Sequence, residues 1–357
     1  MDDAAIDWSR VQRVLVVRLR SIGDTVLSTP SLIALKRFLP SAQIDILLED
    51  WVAPLLDGFA HADNIIAIDA GTTSRFTAAR QIRNRRYDVV FNLHGGTTAT
   101  FLTFASGARH RVGYRHYQYS FLHTHLLPSA EAFWRRDNIH SAEQQLALLG
   151  FKGIPVNDRP RSELAIGESA IRTLNAKFVS AGLDPPDDLG PIALLHPTAA
   201  FKTKEWGLDK FARTAEFLRT RGFATIAVGS ANQRDVLAGL QSAAKVPIHI
   251  LSDLTIPELV ALASKARLFV GNDSGVAHIA AAVGTPSVIV FGSSNRDHWG
   301  PWTDAPSEMV FEPFSCQPCA GRTCLAFDEP RCILTLPEEK VFAAIERVLS
   351  TGNDRGQ

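Results

Sequence analysis

The chain has 357 residues, 46% of them hydrophobic, with 37 basic and 37 acidic side chains. That length leaves room for two domains of ordinary size, and the balanced charge argues against a nucleic-acid or other generic polyanion binder. No apolar run approaches the roughly 18 residues needed to span a bilayer, and the acidic start Met1-Asp2-Asp3 lacks the apolar core of a secretory signal, so the expected location is cytoplasmic.

Residues 13–19 form an apolar run that reads as a buried strand. After it comes Arg20-Ser21-Ile22-Gly23-Asp24-Thr25, where Gly23 allows a tight turn and Asp24 becomes a carboxylate at a helix start. An isolated Gly-Asp pair would be read as a cap alone. Thr29-Pro30 then opens a helix with an N-cap and a proline at its first position. Further strands are expected at 43–48, 65–68 and 88–93. Between Arg75 and Arg136 lie ten arginines against two acids, Asp88 and Glu131, with His94, His110, His116, His123 and His125 in the same window. Some of these, such as Arg80, Arg83, Arg85 and Arg86, suit a solvated helix face. An excess of eight positive charges in one half-domain nevertheless points to an anionic partner.

The polar, proline-rich segment 183–191 reads as a linker, and beyond it the plan repeats, with strands expected at 192–196, 224–229, 248–251, 268–270 and 287–292. Thr255-Ile256-Pro257-Glu258 is a capping box for one of the intervening helices. Apolar runs without strict alternation, separated by helices, mean parallel sheets covered on both faces. The expected class is therefore α/β with two Rossmann-like domains. Ligands of such sheets bind at the carboxyl ends of the strands. At one such end, His196 to Trp206 includes Thr198, Lys202, Thr203 and Lys204 just before a helix, a loop suited to a diphosphate. At another, Asn272-Asp273-Ser274-Gly275-Val276-Ala277-His278 joins a buried strand to a small-residue helix. There the free N–H groups of Ser274, Gly275 and Val276 and the positive end of the helix dipole make an anion pocket. His278 falls in the first turn. An ordinary crossover with Asp273 as N-cap is the plainer reading of that segment alone.

Taken together, Gly23-Asp24 with Pro30, Lys204-x-Trp206, and Asp273-Ser274-Gly275-x-x-His278-x-Ala280-Ala281-Ala282-x-Gly284-x-Pro286 resemble glycosyltransferase family 9, the ADP-heptose:lipopolysaccharide heptosyltransferase family. The resemblance runs over about residues 12 to 348. It implies a GT-B architecture: two Rossmann-like domains with parallel sheets facing across a cleft, an acceptor-binding domain at 1–182, the linker at 183–191 and a nucleotide-sugar-binding domain at 192–335. A helix within 336–357 would pack back on the first domain. It also implies inverting transfer of heptose from ADP-heptose to a lipopolysaccharide core acceptor. By position Asp24 would be the general base and Lys204 would hold the diphosphate, helped by the N–H groups at Ser274, Gly275 and Val276. Thr198 would bond a phosphate oxygen, Asp273 and His278 would lie near the donor sugar, and Leu254 and Thr255 would pass along the nucleobase. Arg18, Arg20, Arg111 and Arg115 are placed nearest an anionic, lipid-linked acceptor, whose lipid implies peripheral contact with the cytoplasmic face of the inner membrane. The sequence shows no amphipathic anchor.

The chain has no Asp-x-Asp pair to hold a divalent ion over a diphosphate, so no metal cofactor is expected. Cys316-x-x-Cys319 has the spacing of half a zinc site, but the gaps to Cys324 and Cys332 fit a zinc ribbon poorly and favour a thiol cluster or a disulfide. The family pattern includes similar cysteines in its second-heptose members. The loop after His196 departs from the family, with Ala199-Ala200-Phe201 in place of more polar residues. Two alternatives stay open: another nucleotide-sugar enzyme of this architecture (a different donor, or a 2-epimerase, which would want several acids around Asp24), and a non-catalytic glycan or nucleotide-sugar binder, which would need no base.

Overall fold

The computed structural model describes residues 5–69, 71–319 and 321–353. The chain divides into two compact units, residues 1–165 and 166–357.

In the first unit, β1 (Arg13–Val17), β2 (Gln43–Glu49), β3 (Asn64–Ile68), β4 (Val89–Asn92), β5 (His110–Tyr114) and β6 (His125–Leu127) form one sheet in the order β3-β2-β1-β4-β5-β6. All its pairings are parallel, so each strand is joined to the next by a crossover, and helices supply the cover that a doubly buried sheet needs. Leu15, Val17, Leu47, Ile66 and Val90 pack there with Ile82 and Leu102 from the helices Thr72–Asn84 and Gly96–Ala105. One carboxylate is buried in this sheet. Asp45 on β2 is fully covered and accepts hydrogen bonds from Arg85 Nη1 at 2.7 Å, Gln43 Nε2 at 3.0 Å, Asn64 Nδ2 at 2.9 Å and the Tyr87 hydroxyl. A buried charge persists only when paired and hydrogen-bonded in this way. Burial, and then the Asp45 carboxylate, push the Tyr87 phenol well above its ordinary range.

In the second unit, β7 (Ile192–His196), β8 (Ala224–Val228), β9 (His249–Leu251), β10 (Leu268–Asn272), β11 (Ser287–Phe291) and β12 (Ser307–Phe311) lie in the order β12-β11-β10-β7-β8-β9. Counted within the unit this is the order of the first sheet, again wholly parallel. Its core gathers Trp206, Phe211, Leu195, Val270 and Val290.

All nine expected strands are present, and β5, β6 and β12 are additional. The expected domain limits shift. Helix Glu168–Ser180 belongs to the second unit, where it packs on helix Ile256–Lys265 and where Lys177 Nζ lies 2.9 Å from Glu258 Oε2. The division therefore falls at 165/166, ahead of the proline-rich segment 183–191, which is an ordinary loop leading into β7 and tied to Lys265 through Asp187 at 2.7 Å. Helix Glu338–Asn353, expected to pack back on the first domain, packs on the second sheet. Val341, Ala344, Ile345 and Val348 join its core, Phe342 stacks on Phe217 with ring centroids 4.2 Å apart, and Arg347 Nη2 meets Glu308 Oε2 at 2.6 Å. The apolar stripe of that helix is matched to β11, β12 and helix Leu208–Arg219, and burial there decides its place.

Candidate active site

Strand order reverses between β1 and β4 in the first unit and between β7 and β10 in the second, and ligands of open α/β sheets bind beyond the carboxyl ends of strands at such points. Arg18, Arg20 and Asp24 follow β1 there in the first unit, and Thr198, Lys204 and the Asp273 turn follow β7 and β10 there in the second.

Beyond β1, Asp24 sits in the first turn of the short helix Ile22–Val26. Its Oδ2 accepts from the Ser21 hydroxyl at 3.0 Å and from the Ser21 N–H at 3.4 Å, so it does serve as a cap. Its Oδ1 is ion-paired with Arg18 Nη2. Arg18 is buried and its Nη1 donates to the Leu93 carbonyl at the end of β4 at 2.5 Å. Arg18 is thus a clamp: anchored on β4, it fixes the direction of the carboxylate that leaves β1. Arg20 is exposed, 3.8 Å from Glu49.

Two further residues join this cluster. His94, half-buried at the end of β4, has its imidazole pulled down to about 4 by burial and then by Arg18, so it is neutral at physiological pH, and its Nδ1 is buried with no hydrogen-bond partner. Tyr117, whose phenol is pushed up by burial against the opposing pull of Arg18, lays its ring against Gly95, where a β-carbon would come within 2.8 Å of it. Gly95 also has φ +70°, so both the backbone and the space require glycine. Asn92 Oδ1 accepts from the N–H groups of His94 and Gly95 at 3.1 and 3.0 Å and sets that turn. The signal for His94 in the sequence was its place between an apolar run and Gly95-Gly96; Tyr117 gave none. Arg111 is turned elsewhere. Its Nε donates to the Leu122 carbonyl at 2.8 Å, its Nη1 to the Ala108 carbonyl, and its guanidinium lies 5.8 Å from the Phe104 ring centroid. Arg115 is exposed just beyond β5.

In the second unit β7 ends at His196, which is buried and joins the loop after it to the β10 turn. Its Nε2 is 3.2 Å from Thr198 Oγ1 and its Nδ1 3.1 Å from Ser274 Oγ. Asn272 fastens the same loop, accepting from the Trp206 N–H at 3.2 Å and donating to the Pro197 carbonyl at 2.7 Å. Lys204 Nζ donates to Asp273 Oδ2 at 2.7 Å, and Asp273 is only 5% exposed, so its carboxylate depends on that ammonium. Ser274 is the N-cap of helix Gly275–Ala282, whose leading N–H groups at Gly275 and Val276 lie outside the helix's own bonding pattern. His278 is buried one turn in. Thr198, Lys204, Asp273, Ser274, Gly275 and Val276 therefore form one connected group. Beside it is a cavity of about 400 Å³ lined by Phe201, Lys204, Ser294, Asn295, Trp299 and Cys319, among others. Its wall from the 292–321 region was not evident from the sequence. Leu254 and Thr255 lie beyond β9, with Thr255 accepting from the Glu258 N–H at 3.4 Å and donating its own N–H to Glu258 Oε2 at 2.7 Å, the expected capping box.

The four cysteines are free thiols that line a second cavity, of about 280 Å³, together with Thr203, Ser293 and Arg331. Burial, and then the neighbouring thiols, push Cys332 up. Among the described residues no group of three or more histidines, cysteines and acids is arranged to hold a metal ion.

Burial pulls the His196 imidazole down to about 4. A group whose folded-state value lies below the ordinary 6.5 or so stabilises the fold fully above that ordinary value, and the contribution is lost as pH falls toward 4. At about 1.4 kcal/mol per pH unit the loss approaches roughly 3 kcal/mol. Denaturant unfolding followed across that interval should show the second unit weakening, and His196→Gln should flatten the slope. An unchanged slope in the variant would assign the effect to other histidines.

A family model described as glycosyltransferase family 9 (heptosyltransferase) matches residues 75–327. Lipopolysaccharide heptosyltransferase 3 of Escherichia coli K12 is 28% identical over 348 residues, which span 93% of this chain and 96% of that protein. Among solved structures, a family 9 glycosyl transferase from Veillonella parvula matches with a TM-score of 0.84 at 20% identity, covering 98% of this chain and 99% of its own. E. coli ADP-heptose lps heptosyltransferase II matches with a TM-score of 0.79 at 21% identity, over 96% and 100% of the two chains. At those identities the structural likeness speaks for the fold.

Proposed function

The chain belongs to glycosyltransferase family 9, the heptosyltransferases, and from that premise we propose that it transfers a heptose from ADP-heptose, with inversion, to an anionic lipid-linked acceptor of the lipopolysaccharide core. It is a glycosyltransferase of the GT-B class, which removes the 2-epimerase and non-catalytic alternatives. The observation that carries the finer reading is the carboxylate of Asp24, held by Arg18 at the strand-order reversal of the first sheet.

In this reading the acceptor hydroxyl gives its proton to Asp24 as its oxygen bonds to the anomeric carbon, while the bond from that carbon to the diphosphate oxygen breaks and ADP departs. The ion pair with Arg18 directs one oxygen of the Asp24 carboxylate, and the neutral His94 adds no competing charge. The leaving group gains charge as it departs, and fixed positive charge aimed there lowers the barrier. Lys204 and the N–H groups at Gly275 and Val276 are suited to that, with Thr198 as a hydroxyl donor. Lys204 donates to Asp273; when the diphosphate engages the ammonium, Asp273 becomes an acceptor for a sugar hydroxyl. Leu254 and Thr255 would flank the nucleobase, and Arg20 and Arg115 are the exposed arginines available to the anionic acceptor. A lipid-linked acceptor would place the reaction at the cytoplasmic face of the inner membrane. Among the described residues no helix is long and apolar enough to cross a membrane.

Mass spectrometry of products formed with ADP-heptose, UDP-sugars and GDP-sugars, each offered with a heptose-deficient core acceptor, tests the donor. One added heptose, from ADP-heptose alone, is expected. A hexose taken from a UDP- or GDP-sugar would overturn the donor assignment while leaving the reaction class intact.

A further inference from the structure

We propose that the first unit docks on an anionic lipid bilayer through the face built by helix Thr72–Asn84, helix Gly96–Ala105 and the turn Ser120–Leu122. Six aromatic side chains are exposed among the described residues, and five of them are here: Phe76, Phe101, Phe104, Tyr119 and Phe121, with exposures from 40% to 70%. They form one surface. The Phe76 and Phe101 rings meet edge to face at 6.3 Å, and so do Tyr119 and Phe121. Phe101 and Phe104 are three positions apart on one helix and share a side of it. Arg111 closes the gap between helix and turn, lying against the Phe104 ring while it binds the Leu122 carbonyl. Exposed apolar surface of this extent marks an interaction site.

The charge around it selects the occupant. Arg80 and Arg83 follow Phe76 by four and seven positions, so they lie on the same side of their helix. Arg83 reaches over Gly107 beyond the end of the neighbouring helix, and Arg109 stands exposed one strand-start away. From Arg75 to His125 there are eight arginines and a single acid, Asp88. That acid is spent on the N–H groups of Gln12 and Arg13, both at 2.9 Å. Aromatic rings ringed by arginines whose heads reach outward are the composition that seats in the headgroup region of an anionic leaflet. A second copy of the chain fits poorly, because a two-fold contact would set this arginine-rich face against itself.

The inference deepens the function proposed above and takes its occupant, a lipid surface, from the lipid-linked acceptor of that reading. Sedimentation with vesicles of phosphatidylethanolamine and phosphatidylglycerol, against vesicles of phosphatidylcholine, tests it without any sugar transfer. The full chain should sediment with the first and stay in solution with the second. Phe76→Ser with Phe101→Ser, and separately Arg80→Glu with Arg109→Glu, should each lower binding at least about tenfold, with unfolding midpoints unchanged and transfer onto a delipidated core oligosaccharide retained. Failure of the wild type to bind anionic vesicles, or undiminished binding by both variants, overturns the docking face. So would a dimer in solution that the same substitutions dissolve. Vesicle binding without transfer to the oligosaccharide would support the face and sink the assigned reaction.

Discussion

Asp24→Asn should lower the rate of sugar transfer by about 10²–10⁴, the usual worth of a positioned general base, and leave ADP affinity nearly unchanged. The amide matches the carboxylate in shape and can keep the contact with Ser21, and Arg18 stays anchored on the Leu93 carbonyl, so the local fold has reason to persist. What disappears is the proton acceptor. Single-turnover rates paired with calorimetric ADP binding separate the two effects, because the groups assigned to the diphosphate sit in the second unit. Turnover like that of the wild type in the Asn variant would sink the assignment of Asp24.

Replacing Lys204 with Ala should weaken ADP binding and lower kcat together, with a rate loss of about 10²–10³, as for other single groups aimed at developing charge. The geometry adds a second consequence. Asp273 is buried and loses its cation, and an unpaired buried carboxylate costs about 3–5 kcal/mol. Lys204→Ala with Asp273→Asn removes that burden, so a double variant that regains stability but not activity would separate the electrostatic role from the structural one. Unchanged ADP affinity in a folded Lys204→Ala protein would move the phosphate contact elsewhere, with Lys202 next in line. Wild-type activity should survive EDTA, and a strict magnesium requirement would count against neutralisation by lysine and helix dipole.

The strands of both sheets were legible where burial on two faces writes an apolar run, as in Leu268-Phe269-Val270 and Ile192-Ala193-Leu194-Leu195. They were illegible where it does not. β5 reads His110-Arg111-Val112-Gly113-Tyr114 and β12 reads Ser307-Glu308-Met309-Val310-Phe311, since polar side chains are tolerated toward a sheet's rim. Asp24, Lys204 and the Asp273 turn were visible because each carries its own local signature of glycine, charge and helix start. Their partners were not. That His94 and Tyr117 neighbour Arg18 follows from β4 lying beside β1 and β5 beside β4, and the pairing of Lys204 with Asp273 joins residues 69 positions apart. The aromatic face was missed for the same reason. Its rings come from three separate elements, and none of the three is strongly amphipathic alone.

The place of helix Glu338–Asn353 bears on how the protein is made. Its residues Val341, Ala344, Ile345 and Val348 finish a core that begins with β7, so the second unit lacks part of its interior until a segment later than all six of its strands has been synthesised. All six strands of the first sheet, and the core that gathers Leu15, Ile82 and Leu102, come before residue 165. Domains fold as units, the earlier one first during synthesis, and contacts between distant segments close late. A nascent chain would thus carry the first sheet complete while β11 and β12 still lack the helix that packs on them, and apolar surface left bare in that interval is prone to aggregate.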